Sequence, residues 1–246
     1  VGHGSRVTGH GKIAAIVPSA GMGKRFGYEK NKPFHLLHGI PLFIWPLKAL
    51  AAIQEIKEII PAVKEQDLTA AADLIEEHQI SKIKRIAPGG EERQDSVYNA
   101  LKILDNKTSV VLIHDGVRPL IDAALIKKTI EAVKDCDGAV AAVPVKDTIK
   151  EADSSWLIAH GKEEVIVKKT LNRSLLWAVQ TPQVFHFDKI REAYEKAMAD
   201  KYYATDDAAL IERYGGTVKI VMGSYRNIKI TTHEDILIAE AMLAHG

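Results

Sequence analysis

Lys12-Ile-Ala-Ala-Ile-Val-Pro-Ser-Ala-Gly-Met-Gly-Lys-Arg-Phe26 is the stretch on which the fold turns. Lys12 to Pro18 is a short, nearly unbroken apolar run, as expected of a strand covered on both faces. Ser19, Ala20, Gly21 and Gly23 follow at once. Small residues let a backbone approach a ligand closely, and successive N–H groups can cradle phosphate oxygens. The spacing is not that of a Walker loop, which needs G-x-x-x-x-G-K-[ST]. It nearly fits G-x-G-x-x-G, but Phe26 stands where the third glycine belongs. The bland alternative is a tight turn whose cations, Lys24 and Arg25, simply face water.

Outward from this stretch, short β-branched runs alternate with helical spacing. Helical periodicity covers Pro41 to Ile56, with Pro46 arguing for a late start or a kink. Strands are predicted at Ile56 to Val63, Lys82 to Ala87, Ser109 to His114 and Gly138 to Val145. Helices are predicted at Asp67 to His78, at Arg93 to Leu104, and at Asp122 to Lys134 with Asp122 as N-cap. This alternation predicts a three-layer α/β fold with a mostly parallel sheet. Ligands of such sheets sit where loops leave the carboxyl ends of strands, here after positions 18, 87, 114 and 144. Lys146 to Lys169 breaks the pattern. It is charged, has two β-like pieces (Asp147 to Lys150 and Val165 to Thr170) and little core material, and reads as a projecting arm. The alternation then resumes: a strand at Leu176 to Gln180, helices near Phe187 to Ala199 and Asp206 to Tyr214, strands Thr217 to Val221 and Ile228 to Thr231, and a helix from His233 to Ala244. Residues 1–11, rich in Gly and His, read as a leader or disordered tail before a single domain spanning 12–246.

Composition narrows the function. Apolar residues are 46% and charged residues 26%, ordinary for a soluble globular chain. Basic and acidic residues number 33 and 32, so the formal net charge is +1. No global field exists to attract nucleic acid or an anionic membrane, and any basic chemistry must be local. The longest apolar runs are far shorter than a membrane span. The single cysteine, Cys136, cannot form an intrachain disulfide, which favours a reducing, cytoplasmic compartment.

Four further motifs carry candidate chemistry. His114-Asp115-Gly116-Val117-Arg118-Pro119 puts a carboxylate at the end of a buried strand, where it suits Mg²⁺ held jointly with substrate phosphates. The alternative is a turn, since Asp before Gly is common there. Gly89-Gly90-Glu91-Glu92-Arg93-Gln94-Asp95-Ser96 could read a base edge or ribose through Gly90 and Ser96, or could be a turn whose acids favour a helix N-terminus. In Asn227-Ile228-Lys229-Ile230-Thr231, Lys229 either faces water or supplies a cation to a cleft. Trp177 to Gln183 reads as a strand ending at a turn, and Ala204-Thr205-Asp206-Asp207 as a helix N-cap.

Taken in order, PSAGMGKRF (18–26), NKPF (31–34), GGEERQDSV (89–97), HDGVRP (114–119), VPVKDT (143–148), LNRSLLWAVQTPQ (171–183), TDDAA (205–209) and GSYRNIKIT (223–231) resemble the 2-C-methyl-D-erythritol 4-phosphate cytidylyltransferases. Ribitol-5-phosphate cytidylyltransferases are the alternative, sharing the Gly loop, HD-x-x-R-P and NIK-[VI]-T. The resemblance implies a Rossmann-like nucleotidyltransferase fold and transfer of a cytidylyl group from CTP to the sugar phosphate, releasing pyrophosphate. It implies that Ser19, Ala20, Gly21, Gly23, Arg25 and Lys32 hold the CTP phosphates, with Arg25 and Lys32 stabilising the transition state. Gly90, Glu91 and Ser96 would contact cytosine or ribose, and Asp115 and Gly116 the nucleotide, with Mg²⁺ at Asp115. Arg118, Thr148, Thr181 and Lys229 would line the sugar-phosphate side. Arg173 and Thr205 would reach the sugar phosphate across a homodimer interface built on the arm at 146–174, and Arg173 and Lys229 would hold the nucleophile. Ser19 stands where many relatives carry alanine, and Asn172 where some carry Asp.

The attacking phosphate is already an anion, so the reaction needs no strong general base, and the motifs offer no Ser-His-Asp or Cys-His set. It needs cations and in-line positioning.

Overall fold

A computed structural model describes residues 11–21, 32–153 and 166–245. Its main sheet has seven strands. At the centre, β1 (Lys12–Pro18) lies parallel to both β4 (Ile56–Val63) and β6 (Thr108–Ile113). β5 (Ala87–Pro88) extends this half beside β4. On the other side, β10 (Trp177–His186) runs antiparallel between β6 and β7 (Gly138–Pro144). β11 (Val218–Met222) closes the edge parallel to β7. The strand order is therefore β11-β7-β10-β6-β1-β4-β5, and the sheet is mostly parallel, as the alternation predicted.

The apolar run in β1 is buried on both faces. Ile13, Ala15 and Val17 join one core with α1 (Ile44–Ala51), α2 (Leu68–Glu77) and α4 (Ala123–Ala132). Ala14 and Ile16 face a second core with α3 (Arg93–Lys102), α5 (Phe187–Ala199) and α6 (Asp207–Arg213). Each fully buried large aliphatic contributes about 1.5–3 kcal/mol, so the period of the run sets the three layers. A third, smaller cluster ties α7 (His233–Ala244) to the hairpin of β2 (Leu36–Leu37) and β3 (Ile40–Pro41) through Leu37, Leu42, Ile230 and Ile236.

Several local expectations hold. Pro46 sits in the first turn of α1, where its missing N–H has no partner to lose. Asp122 caps α4 by accepting from the Leu125 N–H at 2.7 Å, and Asp206 caps α6 by accepting from Ala209 N–H at 3.0 Å. Others are corrected. Lys82 to Ala87 is not a continuous strand: Ile83 makes one bridge to Ile59, and pairing resumes only at Ala87. Between them Arg85 reaches inward to the half-buried pair Glu58–Lys12. Ile228 to Thr231 is an extended connection rather than a strand, because its backbone is tied to a neighbouring segment at Ile230 N–H to Val117 O, 2.9 Å, and forms no ladder. The strand expected to end at Gln180 continues to His186, since β10 pairs with β7 along its first half and with both β7 and β6 beyond a register shift that spans Thr181-Pro182. In the arm the strands are β8 (Lys150–Asp153) and β9 (Ile166–Thr170), the first lying later than predicted.

Candidate active site

Three loops leave the carboxyl ends of β1, β5 and β6 side by side. Backbone bonds set their spacing: Ser19 N–H to Ala62 O at 2.7 Å, Gly89 N–H to Val63 O at 2.6 Å, and Gly116 N–H to Pro18 O at 3.1 Å. Two glycines are required by this closeness. A Cβ on Gly89 would lie 2.2 Å from the Ala20 Cβ, and one on Gly116 would lie 2.0 Å from the Ser19 Oγ. Gly116 therefore packs against Ser19 rather than facing the cleft.

The loops enclose a cleft of about 190 Å³ lined by Ser19, Ala20, Gly21, Gly90, Glu91, Ser96, Asp115 and Lys229, with Pro33 and Val117. The Ser96 hydroxyl is engaged within its own turn, accepting from Gly90 N–H at 3.0 Å and donating to Glu92 O at 3.2 Å. It shapes the loop that presents the Gly90 backbone. Gly23, Lys24 and Arg25 lie outside the described residues, and so does the Lys32 side chain; the Lys32 backbone opens a 3₁₀ turn over Lys32–Phe34.

A second cleft, about 440 Å³, lies on the β10 side and is lined by Arg118, Gln180, Thr181, Gln183, Thr205, Asp206 and Glu212. Arg93, Asp115 and Lys229 line both clefts, so these three side chains form the wall between them.

Asp115 is the centre of that wall, with its side chain 8% exposed. Its Oδ1 accepts from Arg93 Nε at 2.9 Å, its Oδ2 pairs with Lys229 Nζ at 2.8 Å, and Arg118 Nε lies 3.8 Å from Oδ2. Burial alone would push this carboxyl up, but the charges of Arg93, Lys229 and Arg118 outweigh it and hold it well below the usual carboxylate range. Arg93 in turn donates from both terminal nitrogens to Asp207, at 3.0 and 2.7 Å.

Behind the wall, the Asp115 backbone N–H donates to Thr181 Oγ1 at 3.0 Å, and Thr181 Oγ1 lies 3.0 Å from His114 Nδ1. His114 Nε2 reaches Arg118 O at 3.2 Å. The carbonyl can only accept, so the ring carries its proton on Nε2 and Nδ1 accepts from the threonine. Burial lowers the His114 pKa to about 4, which keeps the ring neutral. Arg118 is held by an Nη1 bond to Asn227 O at 2.7 Å. Gln180 clamps the same loop, donating to Ser224 O at 2.8 Å.

Two expected residues stay away from both clefts of the single chain. Thr148 is exposed between β7 and β8, and Arg173 is exposed in a 3₁₀ turn with Nη1 donating to Lys146 O at 2.6 Å. Thr205 lines the chain's own second cleft. Arg93 and Asp207 were not singled out from sequence. One signal was available: Arg93 is the first residue of α3, where a cation opposes the helix dipole and calls for a carboxylate partner.

A magnesium ion ligated by Asp115 does not fit this arrangement. Both carboxylate oxygens already meet cations, and an added divalent ion would face three positive side chains at once. Among the described residues no group of three or more His, Cys, Asp or Glu side chains could hold a metal.

The comparisons agree with the geometry. A family model described as 2-C-methyl-D-erythritol 4-phosphate cytidylyltransferase matches residues 13–245. A relative of that name from Syntrophus aciditrophicus is 43% identical over 233 residues, covering 94% of this chain and 96% of its own. Another from Pelotomaculum thermopropionicum is 43% identical, covering 94% of each. The crystal structure of 4-diphosphocytidyl-2C-methyl-D-erythritol synthase from Anaerococcus prevotii superposes with a TM-score of 0.80 at 35% identity, covering 95% of this chain and 96% of that one. The 2-C-methyl-D-erythritol 4-phosphate cytidylyltransferase from Thermus thermophilus gives 0.74 at 25% identity, with coverages of 95% and 99%. A small-residue cleft and a polar cleft of mixed charge meet at one wall, and the likeness runs the length of the described sheet; the chain belongs to the 2-C-methyl-D-erythritol 4-phosphate cytidylyltransferase family.

Proposed function

We propose that the two clefts hold the two substrates of the family's reaction, CTP in the small-residue cleft and 2-C-methyl-D-erythritol 4-phosphate in the polar one beside Arg118 and Lys229. The observation that supports this most directly is the shared wall of Arg93, Asp115 and Lys229. Lys229 lines both clefts, and the reading assigns it to the point where the two ligands would meet. A phosphate oxygen of the sugar phosphate attacks the α-phosphorus of CTP, the new P–O bond forms, and the bond to the β-phosphate oxygen breaks to release pyrophosphate. The product is 4-diphosphocytidyl-2-C-methyl-D-erythritol.

This chain's part is positional and electrostatic. The close-packed backbone at Ser19, Ala20 and Gly21 receives the triphosphate, and Gly90 and Glu91 receive the nucleoside. Lys229, together with Arg118, receives the incoming phosphate. Arg25 and Lys32 are assigned the charge that develops on the transferring phosphoryl group. No proton need be removed, and His114 agrees with that: it is buried and neutral, with both ring nitrogens engaged. Any divalent cation is proposed to enter with the triphosphate, whose oxygens supply hard donors, since the one carboxylate of the wall already meets cations through both oxygens.

A homodimer through the arm is proposed on two observations. Thr148 and Arg173 line neither cleft of their own chain. Trp177, Val179, Ile220 and Met222 leave apolar surface exposed on β10 and β11 next to the arm. Arg173→Ala should then raise KM for the sugar phosphate more than for CTP; an effect confined to CTP would count against this placement. A cytoplasmic location is proposed on the single cysteine, and no helix among the described residues is long and apolar enough to cross a membrane.

The test is product analysis with CTP and a divalent cation, offering methylerythritol phosphate and ribitol 5-phosphate in parallel. Equimolar pyrophosphate and the cytidyl diphospho-sugar from the first substrate are expected. Turnover of ribitol 5-phosphate alone, or of neither, would overturn the reading.

A further inference from the structure

We propose that Arg93 is a positioning residue for this reaction: it fixes Asp115, and through Asp115 the ammonium of Lys229, by anchoring both to Asp207 at the start of α6. The proposal rests on the assignment of the two clefts above. Its starting point is a local conflict. Arg93 is the first residue of α3, at the positive end of the helix dipole, where a cation is disfavoured. The position is tolerated because two carboxylates meet the guanidinium there.

The geometry uses the fork of arginine fully. Nη1 and Nη2 hold the two oxygens of Asp207 at 3.0 and 2.7 Å, while Nε holds Asp115 Oδ1 at 2.9 Å. A lysine is a single point charge and cannot meet both carboxylates in fixed directions. The anchor is stiff. The Asp207 side chain is 0% exposed and also accepts from the Tyr194 hydroxyl. The neighbour of Arg93 grips the same segment. Gln94 donates to Tyr202 O and accepts from Ala204 N–H, each at 2.9 Å, while the exposed Tyr203 hydroxyl, which donates to Asp95 at 3.1 Å, lies outside this anchor. The first turn of α3 therefore joins the loop at 89–92, on the nucleotide side, to residues 202–207, on the sugar-phosphate side.

The chain of contacts then runs one way. With Asp115 Oδ1 fixed by Arg93, its Oδ2 is left at a set point, and Lys229 Nζ is paired there at 2.8 Å. Lys229 is on an extended connection with few backbone bonds and a half-exposed side chain, so little else defines where its ammonium rests. Arg93 is the element that turns a long, rotatable lysine into a preorganised cation.

A double-mutant cycle separates this role from a purely structural one. Arg93→Lys, Arg93→Met, Lys229→Met and the combined variants are assayed by pyrophosphate release, with melting curves run on each. Arg93→Lys should lower kcat/KM for the sugar phosphate about tenfold or more while changing KM for CTP less than about threefold. The effect should vanish in the Lys229→Met background, where the double variant stays within about threefold of Lys229→Met alone, because nothing is left for Arg93 to aim. Tyr203→Phe, which removes a contact of the same turn without touching Asp115, should keep wild-type kcat/KM. Full additivity of the Arg93 and Lys229 losses, or a Tyr203→Phe loss as large as that of Arg93→Lys, would overturn the proposal. Where Arg93→Met fails to fold, the cycle is read from Arg93→Lys, and where that also unfolds, from Asp207→Asn. Inactive wild-type protein would instead indict the cleft assignment itself.

Discussion

Replacing Asp115 by asparagine should destabilise the ligand-free protein, and an anion should repair it. In the wild type the carboxylate meets Arg93 at 2.9 Å, Lys229 at 2.8 Å and Arg118 at 3.8 Å. Removing one partner from a buried pair costs about 3–5 kcal/mol, because the other charge is left uncompensated. Here the cost is smaller. Arg93 keeps Asp207, and the Lys229 side chain, 41% exposed, can turn to water. Arg118, 10% exposed at its side chain, is the cation left stranded. That places the loss just below this range, at about 2–3 kcal/mol, or a fall of about 4–12 °C in Tm for a chain of this size. Inorganic pyrophosphate should then raise the Tm of Asp115→Asn by more than that of the wild type, since it supplies the missing negative charge. The sign with pH follows from a depressed carboxyl. Its contribution is present above the unfolded value of about 3.9 and is lost as pH falls through the lower folded value, so the deficit should persist from about pH 8 to pH 5 and shrink in stronger acid. Thermal and urea unfolding at several pH values, with and without pyrophosphate, read all of this. A loss below about 0.5 kcal/mol, within the range of an ordinary surface change, or equal pyrophosphate stabilisation of both proteins, would refute the reasoning.

Two more predictions concern Lys32 and His114. Lys32→Ala should reduce kcat/KM by about 2–4 kcal/mol of transition-state stabilisation, the scale of one preorganised electrostatic group, and near-normal kcat in a pyrophosphate-release assay would remove Lys32 from that role. His114, fully buried with a pKa lowered to about 4, is neutral in the fold and titrates near 6.5 when unfolded. Its contribution is therefore present above about pH 6.5 and lost as pH falls toward 4, about 3 kcal/mol in all. His114→Gln should flatten that part of the stability–pH curve; an unchanged slope would show that another group carries it.

Much of the architecture was legible because it is a matter of local period. The apolar run at Lys12–Pro18, the strand Ile56–Val63 and the helices Phe187–Ala199 and His233–Ala244 lie where their spacing predicted. The failures share a cause. Ile228 to Thr231 alternates like a strand but has no strand beside it among the described residues, and Lys82 to Ala87 lies beside an edge with which its backbone bridges only at Ile83 before Ala87. Alternation reports which side chains seek cover, not whether a partner backbone is at hand. The site divides in the same way. Asp115 drew notice as an acid at a strand end, and the small residues after β1 as a ligand-approach loop. Nothing local indicated that Asp115 meets Arg93 and Lys229.

What the amino-acid order determined alone is the layering, the strand-end loops and the set of residues that the family motifs share. The first two follow from short-range periodicity and from residue size, both properties of neighbours along the chain; the third follows from the resemblance of the motifs to those of the family. Which charges meet was decided by tertiary structure. Arg93 and Asp207 stand far apart in sequence, as do Asp115 and Lys229. They come within about 3 Å because α3 and α6 cover the same face of the sheet, and because the segment at 227–230 is bonded to Val117, beside Asp115, and to Thr181 of β10. Ion pairing depends on distance and burial, and strand order, which no local pattern encodes, sets both.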